Sequence, residues 1–99
     1  MSATPVKLDA EGFLVDGGQW TREVAEALAG EERVSLTPTH WKVIDFVREE
    51  YAQQHASPGL RRISLGSGVG MKDLYALFPR TPGKSAARIA GVPKPKSCL

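Results

Sequence analysis

LTPTHWKVIDFVREEYAQQHASP, residues 36–58, decides how the chain folds. Thr37 is a natural helix N-cap, and Pro38 suits the first helical position because its missing N–H has no intrahelical partner there anyway. Trp41, Ile44, Val47 and Tyr51 recur at helical spacing, and Val43 and Phe46 broaden that apolar stripe. Asp45, Glu49 and Glu50 fall between the stripe positions and read as the solvated face. A helix of this length with one apolar face needs other elements to cover it. Trp41 is expected in that core, where its removal would cost about 3–5 kcal/mol.

Working outward, VKLDAEGFLV (6–15) reads as a short β-hairpin. Val6 and Leu8 alternate, Asp9-Ala10-Glu11-Gly12 supplies the turn, and Phe13 and Val15 resume the alternation. A lone two-stranded hairpin is marginal, so it is expected to lie on helices. Asp16-Gly17-Gly18 breaks the chain. WTREVAEALAGEE (20–32) then places Trp20, Val24, Ala27 and Leu28 on one helical face. Beyond the long helix, Ser57-Pro58 repeats the cap-plus-proline start for a short helix through Leu60, Ile63 and Leu65. GSGVG (66–70) reads as a flexible joint. MKDLYALFP (71–79) reads as a helix with Met71, Leu74, Tyr75 and Phe78 towards the core. Thr81-Pro82 opens the last helix and Gly91 closes it. Prolines 93 and 95 disfavour helix and favour polyproline II. The fold class expected is mainly α. It is a single domain over 1–99, a small orthogonal helical bundle with an N-terminal β-hairpin and an extended, flexible C-terminal arm at 92–99.

Of the 99 residues, 41% are apolar and 24% charged, which is a globular balance rather than a disordered one. No apolar run reaches 18 residues, so no membrane span is expected. MSATPVKLDAEG lacks a basic stretch followed by an apolar one, so no signal peptide is expected and a cytoplasmic location is the simplest reading. The single cysteine excludes an intrachain disulfide and a thiolate zinc site. The charge is uneven. Residues 1–60 hold five Lys/Arg against ten Asp/Glu, or −5, and residues 61–99 hold eight against one, or +7. The C-terminal part should attract an anionic surface, whether acidic protein or nucleic acid.

GSGVGMK and PGKSA resemble phosphate loops only superficially. The GKS at 83–85 would need glycine at 78, where Phe78 stands, and glycines 66, 68 and 70 have the wrong spacing. His40 and His55 lie about 22 Å apart along one helix, too far to share a metal. His40 reads as a local hydrogen-bonding group at the helix start rather than a catalytic one.

Cys98 carries the chemistry. It sits one residue from the end of GVPKPKSCL (91–99), beyond Pro93, Lys94, Pro95 and Lys96, which resist burial. A polyproline-like arm of seven residues reaches about 20 Å and loses little entropy on entering a partner's pocket. Lys94 and Lys96 favour the thiolate, and the Leu99 carboxylate opposes them. An ordinary thiol is only a few per cent ionised at neutral pH, so its activation falls to a partner's active site. That is the logic of a carrier. A second reading, from the basic C-terminal half, is a helix-turn-helix module on DNA.

DAEGFLVD, LTPTHWKVIDFVREEY, LYALFPRTPGK and above all IAGVPKPKSCL resemble the DsrC/TusE family of sulfur-relay proteins, also described as the gamma subunit of dissimilatory sulfite reductase. The resemblance covers roughly residues 8–99. It implies a helical bundle with a hairpin and a mobile arm, and a penultimate cysteine, here Cys98, that takes sulfur as a transient persulfide, with no resident cofactor and no metal. It also implies two branches. One carries a second cysteine eleven residues upstream that closes a disulfide with the last. The other lacks it and relays sulfur towards thiolation of a tRNA wobble uridine. Ala87 occupies the upstream position, which points to the single-cysteine, TusE-like branch. Where the family often has Thr-Gly before the cysteine, this chain has Lys96-Ser97.

The partners implied are an upstream sulfurtransferase complex of the TusBCD or DsrEFH kind and an acceptor, either a tRNA thiouridylase or a sulfite reductase. Contact with tRNA would be indirect. Arg88, Lys94 and Lys96, with Pro93 and Pro95, are expected to guide docking. Arg61, Arg62, Arg80 and Lys84 extend the basic surface. Transferase applies in the carrier sense, since turnover requires partner enzymes. The alternative within the resemblance is a single-cysteine paralogue that docks on a sulfite reductase as an interaction or regulatory module. Gly91 is the expected hinge of the arm, and Ala87→Cys is expected to restore the intramolecular disulfide.

Overall fold

The long helix begins where its cap demands. In the computed structural model, which describes residues 7–95, Thr37 caps α2 (Pro38–Gln54) in a capping box whose third residue is His40. His40 Nδ1 accepts the Thr37 backbone N–H at 3.1 Å, and the buried Nε2–H donates to the Leu77 carbonyl at 2.8 Å. The ring also meets Phe78 edge-on at 5.1 Å between centroids. His40 is thus a structural tie between the start of α2 and the end of α4 (Met71–Leu77).

Among the described residues the other helices are α1 (Arg22–Glu31), α3 (Leu60–Ser67) and α5 (Pro82–Ala90), with a 3-10 turn at Gly17–Gln19. α5 sits at the centre and packs against all four other α-helices. Its residues explain why. Gly83, Ser85, Ala86, Ala87 and Ala90 are small and buried, so neighbouring helices approach closely around Ile89. Val24, Val43, Ile44, Val47, Ile63, Leu74 and Phe78 complete the core.

Several expectations need correcting. Over 7–15 the chain forms a single antiparallel bridge, Leu8 to Leu14, and no strand is present among the described residues; Val6 lies outside them. Asp9 explains the tightness of this turn, since its carboxylate accepts the N–H groups of Glu11 and Phe13, both at 2.9 Å. Phe13 and Leu14 are both buried, so the alternation does not hold. Thr21, not Trp20, starts α1, its hydroxyl accepting the Val24 N–H. Ser57-Pro58 does not cap α3, which starts from Gly59 with no side-chain cap. Met71 and Tyr75 face solvent, as does Leu65 at 74% exposure, because α4 needs only Leu74 and the following Phe78 to seal the core.

GSGVG is not a loose joint. Val69 is buried, its N–H donates to Ser67 Oγ, and its carbonyl accepts from Ser64 Oγ. A Cβ at Gly66 would clash with Phe46 Cζ, so glycine there lets α3 close on α2. Glu50 is not solvated either. It is buried and holds Arg62 through two hydrogen bonds of 2.8 and 3.2 Å. Trp41 is half-buried, with the Arg22 guanidinium 3.9 Å above its ring. Trp41→Ala is therefore expected to cost about 1–2 kcal/mol, below the ~3–5 of a fully buried aromatic. A urea midpoint shifted as far as that of Phe78→Ala would contradict the placement.

Candidate functional site

The root of the C-terminal arm is held by several independent contacts. α5 ends in a Schellman motif. Gly91 takes the left-handed conformation at φ 76°, its N–H reaches the Arg88 carbonyl at 3.1 Å, and the Val92 N–H reaches the Ala87 carbonyl at 3.1 Å. Val92 buries its side chain as the apolar stopper of that motif.

The last two helical carbonyls are held from outside α5. Trp20 Nε1–H donates to the Ile89 carbonyl at 2.8 Å, and Arg48 donates to the Ala90 carbonyl at 2.8 Å. Arg48 also lies 3.9 Å over the Trp20 ring. A cation at this end of a helix complements its dipole. Burial pulls the Arg48 guanidinium below its ordinary range, and nearby Asp45 opposes that shift. From sequence, Trp20 is expected on the apolar face of the first helix and Arg48 has no assigned role; neither has a local signal for a partner some 40 or more residues away.

The first residues of the arm are then strapped to the body. Ser57 Oγ–H donates to the Pro93 carbonyl. Lys94 Nζ meets the Glu11 carboxylate at 3.0 Å. Pro95 is buried. The expected freely hanging arm is therefore corrected for 92–95: Val92 and Pro95 have a core face. Gly91 is no free hinge, since it is buried against Trp20. Lys96, Ser97, Cys98 and Leu99, and with them the thiol, lie outside the described residues.

Arg88, expected on a docking surface, instead ties three segments together. Its guanidinium donates to the Gly12 carbonyl at 2.8 Å, to Glu32 at 2.7 Å and to Glu31 at 2.6 Å. Ser85 Oγ donates to the other Glu32 oxygen at 2.6 Å. Desolvation would lower the Arg88 pKa, but the hydrogen bonds and charges of Glu32 and Glu31 outweigh it and raise it above the ordinary arginine value. Gly12, at φ 88°, approaches so closely that a Cβ would stand 2.7 Å from Arg88 Nε.

Around this network lies a cleft of about 430 Å³, lined among others by Arg33, Arg80, Lys84 and Glu11. It gathers Arg80 and Lys84 from the expected basic surface. Arg61 and Arg62, on α3, do not line it. Arg61 is exposed, whereas Arg62 is committed to Glu50, whose hydrogen bond and charge raise its pKa. Ala87 has 0% exposure inside the core cluster, beneath the Gly91–Val92 closure. A cysteine at 87 is thus sealed, and Ala87→Cys is expected to leave a thiol that alkylates far more slowly than Cys98 in the folded protein, as timed thiol counting would show.

Among the described residues, no group of three or more His, Cys, Asp or Glu is placed to hold a metal ion, and no helix is long and apolar enough to cross a membrane. What the described residues do is hold the first four residues of the arm in place against the body.

The chain is similar to known proteins over most of its length. The chain is 39% identical over 101 residues to the sulfurtransferase TusE of Escherichia coli K12, covering 95% of this chain and 93% of that one. The solution structure of Allochromatium vinosum DsrC superposes with a TM-score of 0.82 at 37% identity, over 95% of this chain and 90% of that one. The oxidized gamma-subunit of the dissimilatory sulfite reductase (DsrC) from Archaeoglobus fulgidus superposes at 0.81 and 37% identity, over 95% and 92%. The family model described as DsrC like protein matches residues 1–99, and the chain belongs to that family.

Proposed function

We propose that this chain is a sulfur carrier whose working atom is Cys98 Sγ. The observation that carries this reading is the single cysteine at the penultimate position of a chain 39% identical to a protein named a sulfurtransferase. The Cys98 thiolate attacks the outer sulfur of a donor persulfide. The donor's S–S bond breaks, its thiolate leaves, and a new S–S bond forms on Cys98. An acceptor enzyme repeats the exchange in the forward direction. No external oxidant or reductant is consumed, because each step moves one sulfane sulfur between thiols.

Ala87 selects between the two branches. With no second thiol in the chain, the carrier cannot discharge its persulfide by closing an internal disulfide. The sulfur must leave to a partner, which suits relay towards a tRNA wobble uridine through an upstream sulfurtransferase complex and a downstream thiouridylase. All of this is placed in the cytoplasm. A second reading rests on the likeness to the sulfite reductase gamma-subunit structure: a single-cysteine paralogue that docks there without a disulfide cycle. A DNA-binding role has less to draw on, since Arg48, Arg62 and Arg88 are spent on internal partners.

In bacteria deleted for their own TusE, expression of this chain is expected to restore 2-thiouridine at the tRNA wobble position, and Cys98→Ala is not. Restoration by both variants would remove Cys98 from the reaction. Failure of the intact chain, together with co-purification with a sulfite reductase, would favour the second reading.

A further inference from the structure

Beyond Gly91 the arm continues against the body. Its first four residues are held by an apolar anchor and a polar latch: Val92 and Pro95 are buried, Ser57 Oγ grips the Pro93 carbonyl, and Glu11 grips Lys94. The latch residues come from distant places. Glu11 lies in the turn that Arg88 fixes through the Gly12 carbonyl, and Ser57 lies in the link between α2 and α3. Neither takes part in capping a helix: Ser57 stands in a cap-like Ser-Pro pair yet leaves α3 uncapped and spends its hydroxyl on the arm.

We infer that Ser57 and Glu11 are positioning residues for sulfur transfer, which pin the arm at 93–94 so that Cys98 is presented from Pro95 rather than swung from Gly91. This rests on the sulfur-carrier reading. Cys98 is three residues beyond Pro95, a span covalent geometry limits to about 10 Å. It is seven residues beyond Gly91, a limit of about 25 Å. Since the volume a tether can search grows steeply with its length, latching concentrates the sulfur near one face of the body. A partner that binds this face then meets the sulfur at high effective concentration. Opening the latch dilutes it.

Each grip is weak alone. A hydrogen bond of this kind is worth a few-fold in an equilibrium constant and a surface ion pair less, so breaking both should raise the unlatched population about ten-fold. The single native cysteine makes this measurable. In an Ala87→Cys background, Cys98 can join residue 87 only when the closure over it lifts. Ser57→Ala with Lys94→Glu is expected to speed that intramolecular disulfide about ten-fold under a fixed glutathione buffer, with the melting temperature nearly unchanged. Ser57→Thr should behave as the parent, and Glu11→Lys combined with Lys94→Glu should return the rate towards it.

Should Ala87→Cys fail to fold, a nitroxide on the native Cys98 gives a second reading. Amide broadening should stay near the 93–95 strap in the parent and spread over the body in Ser57→Ala/Lys94→Glu. Equal disulfide rates with and without the latch, or broadening already spread in the parent, would overturn the inference. Sulfur uptake from glutathione persulfide, a small donor indifferent to presentation, is measured separately. If Cys98 of the parent takes up no sulfur, the carrier reading fails whatever the latch does.

Discussion

Gly91→Val is expected to lower the melting temperature by about 15 °C or more. Two penalties add. A β-branched residue at φ 76° costs about 1–3 kcal/mol, since its Cβ crowds the following carbonyl in the left-handed region. The added Cβ would also lie within 2.8 Å of Trp20 Cγ, and forcing atoms into a filled site costs about 1–3 kcal/mol more. Trp20 cannot retreat without surrendering its bond to the Ile89 carbonyl. A total near 3–4 kcal/mol, at about 4–8 °C per kcal/mol for a domain of this size, gives the figure. Calorimetry of the purified variant checks it. A loss below about 5 °C would mean that Gly91 is free of Trp20 and that the hinge expected from sequence exists after all.

Arg88→Met is the second. It keeps much of the side chain's length but leaves Glu32, the Gly12 carbonyl and one end of Ser85's network without their donor. The Arg88 side chain is only 16% exposed, so water does not readily replace it. Glu31 is largely exposed and contributes little. The partly buried Glu32 and the Gly12 carbonyl account for an expected loss of about 2–3 kcal/mol. Arg88→Lys should recover less than half, because an ammonium cannot serve three acceptors in a planar fork. The raised Arg88 pKa places the pH at which this stabilisation fades above the unfolded-state arginine value, so the loss in Arg88→Met should be the same across neutral and mildly alkaline pH. Matched urea titrations of the three proteins decide it. A stability unchanged in Arg88→Met would return Arg88 to the docking surface where its charge alone had placed it.

That misplacement shows what the sequence carries and what it does not. Helix starts marked by threonine and proline were legible at Thr37 and Thr81, although only Thr37 caps with its side chain, and so were the glycine that ends α5 and the stripe Ile44–Val47. These signals are local, and local chemistry decides them. Ser57-Pro58 has the same form and fails, because a hydroxyl can serve any nearby carbonyl and the Pro93 carbonyl won. Charge alone puts Glu50 on a solvated face and Arg88 on a docking surface, yet each has a partner more than ten residues away that no periodicity reveals. The same holds for Pro95, buried by contacts that composition argued against. The position of Cys98 at the end of the chain needed no fold to be seen. What the fold adds is the strap before it.

The central claim, that Cys98 carries sulfur, is tested most directly by intact mass. The reduced protein is incubated with a persulfide donor and desalted, then measured before and after addition of an excess of a second thiol protein. The account predicts a gain of one sulfur atom's mass, located on Cys98 by peptide mapping, absent in Cys98→Ala, removed by reductant, and lost to the second thiol on the chase. A Cys98 that reacts with alkylating agents yet never gains sulfur, or gains it and cannot pass it on, would contradict the account.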